Sequence, residues 1–218
     1  MKMKKNKWRI ILTSLVILLP MIAGFMLWNE LPEKIATHWG MDGEVNGWSS
    51  RLTVVVWIPI FLLLVHLFCI AVTMSDRRNK NQSKKVIGMV CWICPLVSLF
   101  MNGCIYASAF GRSFDMSMAV MLFFGLFYLI LGNYLPKCKQ NYFIGIRIPW
   151  TLLDEENWNA THRFTGKLFV VCGLVIMAGA WISEDMLIYA IVIMTVIPLA
   201  ISVLYSYVYY KKQWGVRL

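Results

Sequence analysis

Long apolar runs broken by short polar segments make up almost the whole chain. Six runs are long enough to cross a bilayer as helices, which takes about 20 residues or slightly fewer. They are 9–28, 52–74, 86–110, 115–135, 167–182 and 186–209. Lipid cannot satisfy backbone polar groups, and none of the runs alternates as a barrel strand does, so each is predicted to be a helix. The fifth is the shortest, which predicts a helix starting earlier, in the polar stretch before it. Pro20, Pro59, Pro95 and Pro198 lie inside runs and predict kinks whose freed carbonyls neighbouring helices re-satisfy. Gly103 with Ala107, and Gly125 with Gly132, predict close helix approach. The expected fold is all-α: a polytopic membrane protein built as a six-helix transmembrane bundle. The pattern divides the chain into 1–51 (first span and outer loop), 52–135 (spans two to four), 136–166 (a polar loop) and 167–218 (spans five and six with the tail).

Composition and charge add an orientation. Mean hydropathy is +0.64 and 15% of the 218 residues are charged, where a soluble domain carries roughly 25%. The net charge of +10 comes in short basic blocks beside apolar runs, which encodes topology rather than direct nucleic-acid binding. With the N-terminus inside, the inner segments hold eighteen of the 21 Lys and Arg. The outer ones hold only Lys34, Arg51 and Arg112. That bias predicts both termini cytoplasmic at the cell membrane. The outer segments are acidic, with Glu30, Glu33, Asp42, Glu44, Asp115, Glu184 and Asp185. Trp8, Trp28, Trp57, Trp181, Tyr207, Tyr209 and Tyr210 fall near predicted interfaces, where amphipathic rings settle. The first run has basic residues before it and no A-x-A-like site after it, so it reads as a span. Cys91 and Cys94 form a CxxC without a second pair or clustered histidines, and read as small buried hydrophobes.

Candidate chemistry lies in three places. Within the spans, His66 and Asn102 are polar groups at membrane depth, functional by default unless they serve only as interhelical hydrogen bonds. No Asp, Glu, Lys or Arg lies well inside a span, which argues against a proton-coupled pump. The outer loop, NELPEKIATHWGMDGEVNGWSSR at 29–51, has turn residues at Gly40, Asp42, Gly43, Asn46 and Gly47. Pro32 suits the first position of one or two helical turns over 31–39. His38, Asp42 and Glu44 lack the spacing of a zinc site, so no metal is expected. With Pro32, Trp39 and Gly43 they form a candidate face for a ligand outside the cell. An acidic loop bearing tryptophans suits a cationic or amphipathic peptide, and a folded lid without a ligand is the equal alternative.

The third place is the polar stretch 133–167. Gly145 permits an unusual turn, and Pro149 pushes Ile148 to an extended conformation. The segment 141–150 is therefore expected to be irregular along the inner membrane face, with Phe143, Ile146 and Trp150 partly buried. Thr151-Leu-Leu-Asp154 matches a capping box, which predicts a helix from 152 into the fifth span. Asp154, Glu155 and Glu156 would lie in its first turn, with Trp158 and His162 on one face. One histidine, three acids and two arginines without a paired nucleophile predict a docking or structural surface, not an enzyme, and no cofactor.

Two of these stretches resemble the Sdp immunity protein family of Gram-positive bacteria. GNYLPKCKQNYFIGIRIPWTLLDEENWNATHRFTGK is similar to the family signature GN-x-LP…N-x-x-x-GIR-x-PWTL…W-x-x-TH-x-x-G. LPEKIATHWGMDGEVNGWSSR is similar to the N-terminal domain of unknown function that members carry. The resemblance implies an integral membrane immunity protein and receptor, resistant to a secreted peptide toxin on its outer side. It also implies signalling, by holding a cytoplasmic transcriptional repressor at the membrane. The positions it marks for partner docking are Asn141, Gly145, Arg147, Pro149, Trp150, Thr151, Trp158, Thr161, His162 and Gly166, with Pro32, His38, Trp39 and Gly43 outside. The alternative is a transporter or exporter of a peptide or lipid-like substrate, lined by His66 and Asn102.

Overall fold

Runs of Leu, Ile, Val, Met and Phe with no turn residues can bond their own backbone only as helices, and the computed structural model has them so. It describes residues 3–40, 43–76, 78, 82–112, 114–181 and 186–215. The elements are α1 (Met3–Met26), β1 (Lys34–Trp39), β2 (Val45–Ser50), α2 (Ile58–Ser75), α3 (Lys84–Ala109), α4 (Met116–Tyr134), α5 (Pro149–Leu153), α6 (Glu155–Gly179) and α7 (Met186–Gly215). Among the described residues, five stretches are long and apolar enough to span: Lys7–Met26, Thr53–Ser75, Lys84–Ala109, Met116–Lys137 and Glu155–Gly179. The fifth begins well before its apolar run, as its short length required. Large apolar side chains such as Leu15, Leu19, Phe61, Leu64, Phe68 and Leu174 stand exposed on these helices. Faces of that size belong against acyl chains. The protein is a multi-span membrane protein.

The chain forms two units. The first comprises Met1–Val72 and Ile87–Met116. Its core is Leu31, Ile35, Val54, Val55 and Ile105, with Trp28, Trp39 and Tyr106 packed on it. Here the all-α expectation fails. The segment 31–39 is not helical, because β1 pairs antiparallel with β2. Ile35, Thr37 and Trp39 recur at the two-residue period of a strand, and β-branched and aromatic residues suit a half-buried pleat. Gly43 turns the chain at φ 75°, and Gly40 N–H donates to the Glu44 carbonyl at 2.8 Å. The entry to α2 is π-wound over Thr53–Trp57. Pro59 has no N–H to give the Val55 carbonyl, so the turn before it is wound wider. On α1, Ser98 Oγ donates to the Ile17 carbonyl at 3.1 Å and Tyr106 Oη to the Pro20 carbonyl at 2.8 Å. Gly103 has open space around it, so the close approach expected there is absent.

The second unit comprises Thr73–Val86 and Ser117–Leu218. Its α4 and α6 touch backbone to backbone at two levels. A Cβ on Gly132 would lie 2.6 Å from the Gly166 carbonyl oxygen, and one on Gly173 2.7 Å from that of Gly125. Each helix thus carries two glycines seven residues apart. Met121, Tyr128, Phe169, Cys172 and Ile176 fill the space beside them.

Candidate functional site

The polar loop of the second unit has almost no regular structure, so its buried backbone groups need side-chain partners. Asn141 supplies four. Its Oδ1 accepts from the N–H of Phe143 (2.8 Å) and Ile144 (2.6 Å), and its Nδ2 donates to the carbonyls of Lys139 (2.8 Å) and Ile144 (2.9 Å). Gly145 follows at φ +103°, and any Cβ there would run into His162 Nε2. Ile146 N–H donates to His162 Nε2 at 3.1 Å, and His162 Nδ1 lies 2.8 Å from the Trp158 carbonyl. An N–H can only donate and a carbonyl only accept, so these partners fix a neutral ring with its proton on Nδ1. The ring stacks on Trp158 at 4.0 Å between centroids. Trp158 Nε1 in turn donates to the Cys138 carbonyl at 2.7 Å. Burial pushes the Cys138 thiol up to about 11, against opposing hydrogen bonds from Asn141 and Gln82, so it is a neutral thiol at physiological pH.

Ile148 is extended at φ −118° and ψ 157°, as the following Pro149 dictates. The capping box sits three residues earlier than expected, from Ile148 to Thr151. Thr151 Oγ1 accepts from Ile148 N–H at 3.1 Å and lies 2.9 Å from the Ile146 carbonyl, closing the short α5. Asp154 then breaks the helix at φ −128° and caps α6, accepting from Glu156 N–H at 3.0 Å. The helix predicted from 152 is therefore two helices. Thr161 Oγ1 donates to Asn157 Oδ1 (2.9 Å), which also accepts from Ser206 Oγ (2.6 Å) on α7.

A second loop holds the first, and nothing in its local sequence marked it. Asp76 Oδ2 accepts from Tyr142 N–H at 2.7 Å, while its Oδ1 accepts from Arg78 N–H at 2.8 Å. The Arg78 guanidinium lies 4.3 Å over the Tyr142 ring. Gln82 makes a paired contact with Lys139, donating to its carbonyl and accepting from its N–H at 2.9 Å each.

The stretch was expected to be a docking or structural surface, and its residues divide by burial. Asn141, Thr151, Trp158, Thr161 and His162 are buried, with His162 only 1% exposed. A group inside the fold cannot meet a partner directly, so these residues hold the loop's shape. Trp150 is half-buried, its ring 5.5 Å from Tyr207. Gly145, Arg147 and Pro149 are exposed. Phe143, expected partly buried, is exposed with Tyr142 and Leu153. Arg147 reaches back to the Tyr142 carbonyl at 3.1 Å.

In the first unit, Pro32 is exposed and its carbonyl accepts from Arg51 Nε at 3.3 Å. Exposed His38 bonds Asn46 across the hairpin through Nδ1. Trp39 turns into the core, Gly43 makes the turn and Glu44 is exposed. Asp42 lies outside the described residues. Among the described residues no three His, Cys, Asp or Glu side chains cluster to hold a metal. His66 and Thr13 form an interhelical bond, Nε2 to Oγ1 at 3.0 Å. Asn102 instead donates to the Ser98 carbonyl of its own helix at 2.8 Å.

Comparison with known proteins places both stretches. Residues 137–206 match the SdpI/YfhL protein family, and residues 15–63 match a domain of unknown function (DUF1648). The immunity protein SdpI of Bacillus subtilis (strain 168) is 30% identical over 220 residues, covering 99% of this chain and 100% of that protein. No solved structure matches.

Proposed function

The chain belongs to the SdpI/YfhL protein family, and from that premise we propose that it is an immunity protein of the cell membrane, giving resistance to a secreted peptide toxin. The observation that carries this reading is the end-to-end similarity to a protein named for immunity. Six spans with both termini cytoplasmic fit the bias of eighteen inner against three outer basic residues. In this arrangement the hairpin faces the toxin. The loop of the second unit faces the cytoplasm, where its exposed rim of Tyr142, Phe143, Arg147, Pro149 and Leu153 docks a transcriptional repressor. Arg147 is the docking contact, and the buried His162 acts by holding the loop. The test is survival of a sensitive bacterium that expresses the chain and is challenged with Sdp-type toxin peptide. Protection is expected, and Arg147→Ala should keep protection while losing recruitment of the repressor to the membrane. Correct insertion without protection would overturn the immunity reading, and full recruitment by Arg147→Ala would remove that contact from the docking face.

A further inference from the structure

The hairpin is a sheet of two strands, so each strand has an edge that pairs with nothing in the sheet. A hollow of about 600 Å³ runs beside β2, lined by Asn46, Gly47, Trp48, Ser49 and Ser50 in sequence and by Lys34. Successive residues of a strand point to opposite faces. A hollow touched by five in a row therefore lies along the strand's edge rather than over one face. The ladder says which groups face it. Arg51 N–H donates to the Glu33 carbonyl at 3.0 Å, and antiparallel pairing alternates bonded and free positions along a strand. Ser49 thus points at β1, and the N–H and C=O groups of Trp48 and Ser50 point into the hollow; past Trp48 the register shifts. The Trp48 side chain stands beside it, 59% exposed. Lys34 closes the end opposite Ser50, and among the described residues nothing pairs with its ammonium.

We propose that the free edge of β2 binds the toxin peptide as a third strand, in antiparallel or parallel register, with a peptide carboxylate on Lys34. Main-chain bonds to Trp48 and Ser50 supply the affinity, and the Trp48 ring packs on an apolar peptide side chain, as in other recognition by strand addition. The carboxylate answers the one unpaired charge in the hollow. This inference rests on the peptide-toxin reading of the outer hairpin, and deepens it by naming the bonds.

The test is amide hydrogen exchange on the full chain in phospholipid nanodiscs, with and without Sdp-type toxin peptide. Peptide should slow exchange at Trp48 and Ser50 by about tenfold or more, the scale of one bond's net worth, and leave Ser49 unchanged. Trp48→Pro removes an outward N–H, which an edge strand tolerates, and should weaken binding by about tenfold. Trp48→Ala keeps that N–H and should weaken it less. Exchange at Ile35 reports whether the proline variant keeps its hairpin. A peptide that binds the natural chain and leaves Trp48 and Ser50 unprotected overturns strand addition while leaving immunity intact. A natural chain that neither binds the peptide nor protects cells overturns both.

Discussion

The hairpin of the first unit and the polar loop of the second solve opposite problems with similar residues. In the hairpin, side chains bond side chains: Thr37 to Ser49 at 2.9 Å, His38 to Asn46, and Ser50 to Thr53 at 2.9 Å. In the loop, side chains bond main chain: Asn141, Thr151, Trp158, His162, Asp76 and Gln82 all do so. The reason is backbone accounting. Strand pairing satisfies the N–H and C=O groups where the two strands face each other, and the outer edges lie open rather than buried, so the hairpin's side chains are spare. The loop has no ladder, and its buried amides are satisfied only by particular side chains. The loop should therefore be intolerant of change at polar positions that never touch a partner, and the hairpin tolerant at positions that look functional.

The comparison is tested hardest at Asn141. Asn141→Ala removes a buried amide with four main-chain bonds. At about 1 kcal/mol net for each, and with buried N–H groups left unpaired, the loss should be on the order of 3 kcal/mol or more. Thermal unfolding of the detergent-solubilised protein, with limited proteolysis of the loop, would measure it. A variant as stable and as protease-resistant as the natural chain would end the claim that the loop depends on such side chains. Trp158→Phe is the milder version. It keeps an aromatic ring on His162 and loses only the indole bond to the Cys138 carbonyl. The expected cost is about 1 kcal/mol, read by the same melting experiment.

Much of the loop could be read from the chain because its determinants are local. Gly145 before a Pro149-restricted Ile148 predicted an irregular turn, and the four-residue spacing put Trp158 and His162 on one face, where their rings stack. The capping residue was misplaced because Thr151 and Asp154 both suit a cap. What separates them is that Ile146 and Ile148 already claim the Thr151 hydroxyl. Asp76, Arg78 and Gln82 were not legible at all. Their partners lie some sixty residues away, and no local periodicity records a pairing between distant segments. The hairpin was legible and misread. Ile35, Thr37 and Trp39 carry a strand's period, but Pro32 just before them also suits the start of a helix, and the two signals compete over nine residues.

The smallest expected effect is at the hairpin's most conspicuous pair. His38 and Asn46 are bonded to each other and exposed, and an exposed histidine invites a functional role. His38 is paired with Gly47 across the ladder and Asn46 lies at the irregularity beside it, and both side chains are exposed, so removing them leaves no buried group unsatisfied. Surface changes of this kind usually stay within about 0.5 kcal/mol. His38→Ala, Asn46→Ala and the double variant form a cycle whose coupling energy isolates the pair from other effects. A coupling larger than the Trp158→Phe loss would mean that the hairpin, like the loop, is held by its side chains. A coupling near zero would free both positions to vary, and would place the hairpin's fixed information in its backbone, where strand addition needs it.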